Sequence, residues 1–195
     1  MKKFVMPALV LTVICVVVAG LVSGASLLTR DAIAAQEASA ADEAKRSVLP
    51  AAAQFVAIDE VEAPMQQSAA QESYKALDAA GETIGFVFVT VGTGYGGEIR
   101  VMTGLDAAGV VTGVVLLSDD ETPGLGKKAE QEDFRAQYVG KDVSEYTVVK
   151  GDAAADGEIS AITSATITSR AVTSAVNDAK AAYAFYCAAV EEAAA

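Results

Sequence analysis

A chain of 195 residues with 52% hydrophobic side chains is long enough for one packed domain of ordinary size plus appendages. Its formal net charge of -12 argues against non-specific binding to nucleic acid, because that affinity rests on Lys and Arg. The sequence contains no histidine, which removes Ser-His-Asp and Cys-His catalysis, the HExxH metalloprotease site and most zinc sites.

Lys2 and Lys3 precede an apolar run that begins at Phe4 and, with Pro7, Thr12 and Gly20 as interruptions, returns at Leu27 and Leu28 before Arg30. Roughly twenty apolar residues suffice to cross a bilayer as a helix. The run over residues 4–28 is therefore expected to anchor the chain in membrane lipid, and the two lysines put the N-terminus in the cytoplasm and the remainder on the outer face. A cleaved signal peptide is the alternative, since Ser23-Gly24-Ala25-Ser26 offers small residues for a peptidase. Cys15 lies in this run and Cys187 near the other end, so they do not pair across the membrane and are too few to hold an iron-sulfur cluster. Redox work would fall to an organic cofactor or to one shared with a partner.

Residues 31–50 are rich in Ala, Glu, Asp and Gln and stop at Val48-Leu49-Pro50, a pattern that reads as a helical stalk or a disordered linker. The expected division is an N-terminal stub and anchor over 1–30, the stalk or linker over 31–50, and a globular domain over 51–195. Within the last, Phe55 to Ile58 and Glu72 to Leu77 read as strands joined by an acidic loop containing Pro64. Thr83 to Val91, Glu98 to Thr103 and Val110 to Leu117 follow as strands separated by glycine turns. Strands in succession without intervening helices predict an antiparallel sheet in an α+β domain.

Gly92-Thr93-Gly94-Tyr95-Gly96-Gly97 matches the G-x-G-x-x-G spacing, but the following Glu98 to Met102 reads as a strand and not as the helix a dinucleotide fingerprint opens. It is either a plain loop or one that lets backbone approach a flat ligand. Asp119-Asp120-Glu121-Thr122-Pro123-Gly124-Leu125-Gly126 carries turn chemistry at Pro123 and Gly124, and its three carboxylates do not have EF-hand spacing. Lys127 to Tyr138 is predicted helical with Phe134 and Tyr138 one turn apart. Tyr146 to Val149 is predicted as a strand and Asp152 to Glu158 as a polar loop. Ile167 to about Glu191 closes the domain as a helix that buries Val172, Val176, Ala179 and Tyr183.

Before that helix stands a run of hydroxyl residues, Ile159 to Arg170. Such a run at a helix entrance is either a set of local caps or an anchor for a phosphate facing free N–H groups and the positive end of the helix dipole. Thr163-Ser164-Ala165-Thr166-Ile167-Thr168-Ser169 resembles the flavinylation motif of FMN-binding domains, a [ST]-G-A-T core followed by x-[ST], with Ser164 where that family usually has Gly. Glu121 to Gly126 is similar to the E-T-P-G-L-G signature that accompanies it, and the glycine loop is similar to a G-Y-x-G element.

Together with the N-terminal anchor and the V-L-P stop, these motifs make the chain resemble the G subunits of Rnf complexes, the ion-translocating ferredoxin:NAD+ oxidoreductases, which are related to the C subunits of Na+-translocating NADH:quinone oxidoreductases. The resemblance implies covalent FMN on Thr166 through a phosphoester, with Thr163, Ser164, Ala165 and Thr168 around the phosphate. Leu125, Gly126, Tyr95 and Gly96 would lie against the isoalloxazine, and Glu121 and Thr122 would hydrogen-bond its polar edge. It further implies an electron-relay role with no complete active site in this chain, partners in the other subunits of a membrane complex, and a flavin transferase for maturation. The competing readings are a stand-alone extracellular flavoprotein of another electron-transfer chain and a non-redox anchored structural domain.

Overall fold

The computed structural model describes residues 2–58 and 65–194; the acidic loop predicted around Pro64 lies outside them. Helix α1 spans Lys2–Val48 and stops before Leu49-Pro50, where the proline removes an N–H donor and clashes with the preceding turn. The chain divides into two compact units, Met1–Asp42 and Glu43–Ala195.

In the first unit the large apolar side chains from Leu9 to Val22 stand exposed. Among the described residues no helix is long and apolar enough to cross a membrane. The side chains at 4, 5, 7, 8, 25, 27 and 28 of the expected span fall outside the described set.

The second unit is built on a five-stranded antiparallel meander in which each strand pairs with the next in sequence: β1 (Gln54–Ala57), β2 (Glu72–Leu77), β3 (Thr83–Thr93), β4 (Glu98–Asp106) and β5 (Val111–Ser118). The central strand β3 is buried on both faces, which explains its almost continuous apolar run. Successive side chains point to opposite faces of the sheet. Phe86 and Phe88 accordingly join Val101, Leu105 and Val114 in the main core, under the C-terminal helix α3 (Thr166–Ala194). Val87, Val89 and Met102 face the other way, onto Ala44 and Val48 from the last turn of α1. The cross-strand pair Gly104 and Gly113 lets Val48 approach the backbone, and the Thr112 hydroxyl donates to Val48 O at 2.7 Å.

α3 buries Ala171, Val172, Ala175, Val176, Ala179, Ala182 and Tyr186, with the expected Tyr183 only partly covered. It lies so close to β3 that a Cβ on Gly92 would collide with the Ala171 backbone, and the Thr90 hydroxyl donates to Ala175 O at 2.7 Å.

Two elements differ from expectation. The predicted helix over 127–138 is broken into a 3₁₀ turn (Gly126–Glu130), a single helical turn α2 (Glu132–Arg135) and a second 3₁₀ turn (Ala136–Tyr138). The break falls at Gln131, whose backbone is extended at φ -71 and ψ 145. Phe134 and Tyr138 nevertheless meet edge-on, with ring centroids 5.8 Å apart. The second difference is a small parallel pair, β6 (Thr147–Val149) with β7 (Glu158–Ser160), the latter reaching beyond the stretch read as a polar loop. β6 lies within the strand expected over Tyr146 to Val149, whereas β7, three residues with one buried side chain at Ile159, is too short for alternation to reveal.

Candidate functional site

Three segments distant in sequence converge at one end of the sheet. The first is the β3–β4 loop, closed by Gly94 N donating to Gly97 O at 2.8 Å. It connects two strands and opens no helix, as the sequence pattern requires. The second follows β5, where Leu125 N donates to Thr122 O at 3.1 Å around Pro123-Gly124. Gly124 has φ 79, the left-handed value that the third position of a type II turn demands. The third is the entrance to α3. Ala165 N donates to Ile162 O at 2.9 Å, and between them Ser164 has φ 66. Among the described residues Ser164 alone of the non-glycines has a positive φ. A residue with a Cβ is costly there, which is the physical reason for glycine at this motif position.

Glu121 ties the three segments together. Its side chain is buried, and Oε1 accepts hydrogen bonds from Tyr95 N at 2.7 Å and Gly96 N at 3.1 Å, while Oε2 accepts one from Thr168 Oγ1 at 2.8 Å. A Cβ on Gly94 or Gly126 would strike this carboxylate, so both glycines are required by its placement. Asp119 supports it in turn, with Oδ1 accepting from Glu121 N at 3.0 Å and from Lys127 Nζ at 3.3 Å. Hydrogen bonds to Glu130 and Asp119 hold the Lys127 ammonium above its ordinary pKa.

These contacts give two of the expected site residues a structural task. Glu121 has both oxygens engaged by the protein and braces the walls, a role the sequence did not suggest. Thr168 is buried and donates to Glu121, so its hydroxyl is not available to a phosphate.

The convergence leaves a cleft of about 440 Å³ lined by Tyr95, Glu121, Thr122, Leu125, Gly126, Ser164, Ala165, Thr166, Ile167 and Thr168. Nine of the eleven predicted site residues are in that lining. Gly96 stands beside it, holding Glu121 through its N–H, and Thr163 is exposed on the turn outside it. Ile167 was missed. It occupies the variable position of the motif and is 53% exposed, an apolar side chain on the rim with Tyr95 and Leu125. An isoleucine in the first turn of an amphipathic helix reads as core, and only its outward position separates it from Val172 and Val176.

Two of the hydroxyls in the run are committed locally. The Ser169 Oγ accepts from Ile162 N at 2.9 Å and donates to Ala165 O at 3.0 Å, and the Ser160 Oγ accepts from Ala153 N at 2.8 Å. Thr166 is the first residue of α3 and lines the cleft, and its hydroxyl has no hydrogen-bond partner among the described residues. No described side chain accepts from the N–H groups that open α3, so the capping explanation for the hydroxyls does not hold. A helix entrance with free N–H groups beside an unengaged hydroxyl suits a phosphate ester. Among the described residues no group of three or more His, Cys, Asp or Glu could hold a metal ion.

The chain matches the FMN-binding domain family over residues 94–181, a span that contains all three segments of the cleft. It is 40% identical over 144 residues to the G subunit of the Na(+)-translocating ferredoxin:NAD(+) oxidoreductase complex of Acetobacterium woodii, covering 69% of each chain. It is 32% identical over 179 residues to the G subunit of the ion-translocating oxidoreductase complex of Vibrio vulnificus, covering 87% of this chain and 84% of that one. Among solved structures it shares its fold with NqrC of Shewanella oneidensis, at TM-score 0.53 and 20% identity over 73% of each chain. It also shares it with the C subunit of the Na(+)-translocating NADH-quinone reductase of Parabacteroides distasonis, at TM-score 0.54 and 18% identity, covering 74% of this chain and 82% of that one.

Proposed function

The chain belongs to the G-subunit family of Rnf-type ion-translocating oxidoreductase complexes and carries an FMN-binding domain, and on that premise we propose that it relays electrons through an FMN joined to Thr166 by a phosphoester. The observation that carries this reading is the meeting of Tyr95, Glu121 to Gly126 and Ser164 to Thr168 around one cleft, with the Thr166 hydroxyl unengaged at the start of α3.

The residues present fit the group. Gly96 and Gly126 let the walls of the cleft close on one another, since a Cβ at Gly96 would meet the Asp120 backbone and one at Gly126 would meet Glu121. Leu125, Ile167 and Tyr95 supply apolar surface at the rim. When bound, FMN supplies transfer of one or two electrons. The protein's part is to hold the ring against Leu125 and Gly126, to fix the phosphate at the helix entrance, and to keep the cleft's shape through Glu121.

Attachment is the work of a Mg²⁺-dependent flavin transferase that uses FAD. The Thr166 oxygen forms a bond to the flavin-side phosphorus, the pyrophosphate P–O bond breaks, AMP leaves, and the hydroxyl proton is released to the transferase's base. A tether of this kind suits a domain on the outer face of the membrane, where a dissociated flavin would be lost. The run over residues 4–28 is the anchor, with Lys2 and Lys3 on the cytoplasmic side. Protease added to intact spheroplasts checks the orientation: digestion of the domain is expected, and its protection refutes the outward placement. The other subunits of the complex supply the electron donor and acceptor.

Thr166→Val keeps the shape of the side chain and removes the nucleophile. Co-expressed with a flavin transferase, the wild type is expected to carry flavin fluorescence through denaturing electrophoresis and to show the added FMN in its intact mass. The variant is expected to be folded and colourless, and covalent flavin on it would refute the assignment.

A further inference from the structure

Arg170 has no partner that its position explains. It is exposed, and among the described residues it makes no hydrogen bond or ion pair. On a helix its neighbours lie three and four residues away, and here those are Thr166, Ile167, Thr173 and Ser174, none of them acidic. Some cations of the domain are committed: Arg100 pairs with Glu72 at 2.8 Å, Lys127 with Glu130 at 3.0 Å, and Arg135 donates to Val114 O at 2.9 Å; Arg46, Lys128 and Lys150 are exposed like Arg170, but none of them stands on α3 beside Thr166.

What Arg170 does adjoin is Thr166. The two stand four residues apart on α3, and helical side chains lean towards the N-terminus, so the first turn is within reach of the Arg170 side chain. We propose that Arg170 binds the phosphodiester of the Thr166-linked flavin and is the cation that neutralises it. This rests on the attachment reading above. A planar guanidinium offers parallel donors that match two phosphate oxygens. The N–H groups at the start of α3 meet the phosphate from the helix axis and Arg170 meets it from the outer face. The need for such a cation is plain from the cleft, whose charged lining residue is the carboxylate of Glu121.

The test uses full-length protein in detergent, with covalent flavin attached by co-expressed transferase, in wild type, Arg170→Gln, Arg170→Lys and the control Lys128→Gln, an exposed lysine of the neighbouring 3₁₀ turn. The phosphorus NMR resonance of the attached phosphodiester is expected to move in Arg170→Gln, to move less in Arg170→Lys, and to stay in place in Lys128→Gln. Initial attachment rates measured by in-gel fluorescence are expected to fall about fivefold in Arg170→Gln at low salt, with the difference shrinking at about 0.5 M NaCl as the charges are screened. An unmoved phosphorus resonance in Arg170→Gln overturns the proposal, and slower attachment beside it assigns Arg170 to transferase recognition instead. Wild-type protein without covalent flavin removes the attachment reading and this proposal together, whereas labelled wild type with an unperturbed Arg170→Gln removes this proposal alone.

Discussion

Replacing Ser164 by glycine should stabilise the domain, although it deletes a side chain and adds no contact. Ser164 sits at φ 66, and its turn is closed by Ala165 N donating to Ile162 O at 2.9 Å. The left-handed conformation costs an L-residue roughly 1–2 kcal/mol. Glycine escapes that cost but loses more backbone freedom on folding, about 0.5–1 kcal/mol. The Ser164 side chain is exposed and has no hydrogen-bond partner among the described residues, so nothing further is lost with it. The net gain is about 0.5–1 kcal/mol, which for a chain of this size raises Tm by roughly 1–4 °C. Thermal unfolding of the detergent-purified chain, followed by circular dichroism, measures it. The complementary variant is Ser164→Val, whose β-branched side chain tolerates the left-handed region worse, so its Tm is expected to fall. Because the same turn aims Thr166 into the cleft, covalent flavin should rise in the glycine variant and fall in the valine variant. A glycine variant less stable than wild type, or a valine variant of equal stability, refutes the strain argument.

The brace at Glu121 makes a sharper prediction about stability. Glu121→Ala leaves Tyr95 N, Gly96 N and Thr168 Oγ1 without their acceptor, at a cost of about 2–3 kcal/mol. Glu121→Gln keeps an oxygen for the two N–H groups and turns an amide towards a hydroxyl that can accept, so it should cost about 1 kcal/mol or less. Chemical denaturation that finds the two variants equally stable excludes the bracing role. Tyr146 contributes to the alkaline limit. Its hydroxyl donates to Tyr138 O at 2.6 Å, and burial pushes the phenol up to about 12. The folded value lies above the unfolded value of about 10, so this contribution is fully present below about pH 10 and is lost as pH rises towards 12. Tyr146→Phe should lower the neutral-pH plateau by about 1 kcal/mol and make the decline above pH 10 shallower. Burial shifts Tyr138 and Tyr183 in the same direction, so part of the slope remains. An unchanged slope refutes the assignment.

Much of the fold follows from local properties. The strands β3 to β5 are rich in β-branched and aromatic residues and cut by glycine turns, and the order of strands without intervening helices leaves an antiparallel meander as the simplest pairing. Pro50 ends α1, and the spacing of Val172, Val176 and Ala179 marks the face of α3 that meets the sheet. The motifs at Tyr95, Glu121 to Gly126 and Thr166 also stand out along the chain, because tight turns and close backbone approach restrict the residues allowed there.

What each residue does at the site is decided by the tertiary structure. Glu121 and Thr168 look in sequence like ligand contacts, yet they meet each other across 47 positions of chain, and the Thr168 hydroxyl gives its proton to the Glu121 carboxylate. Ser164 carries a left-handed backbone that no composition rule predicts for serine, imposed by the turn it must make between Ile162 and the start of α3. Strand β7, its parallel pairing with the expected strand β6 and the broken helix over 126–138 are equally invisible locally, since a three-residue strand has no usable period and the break at Gln131 carries no glycine or proline. Local sequence determines which backbone shapes are cheap at each position. Which donors and acceptors face one another is determined only when distant segments are brought together, because a hydrogen bond depends on distances that sequence spacing does not set.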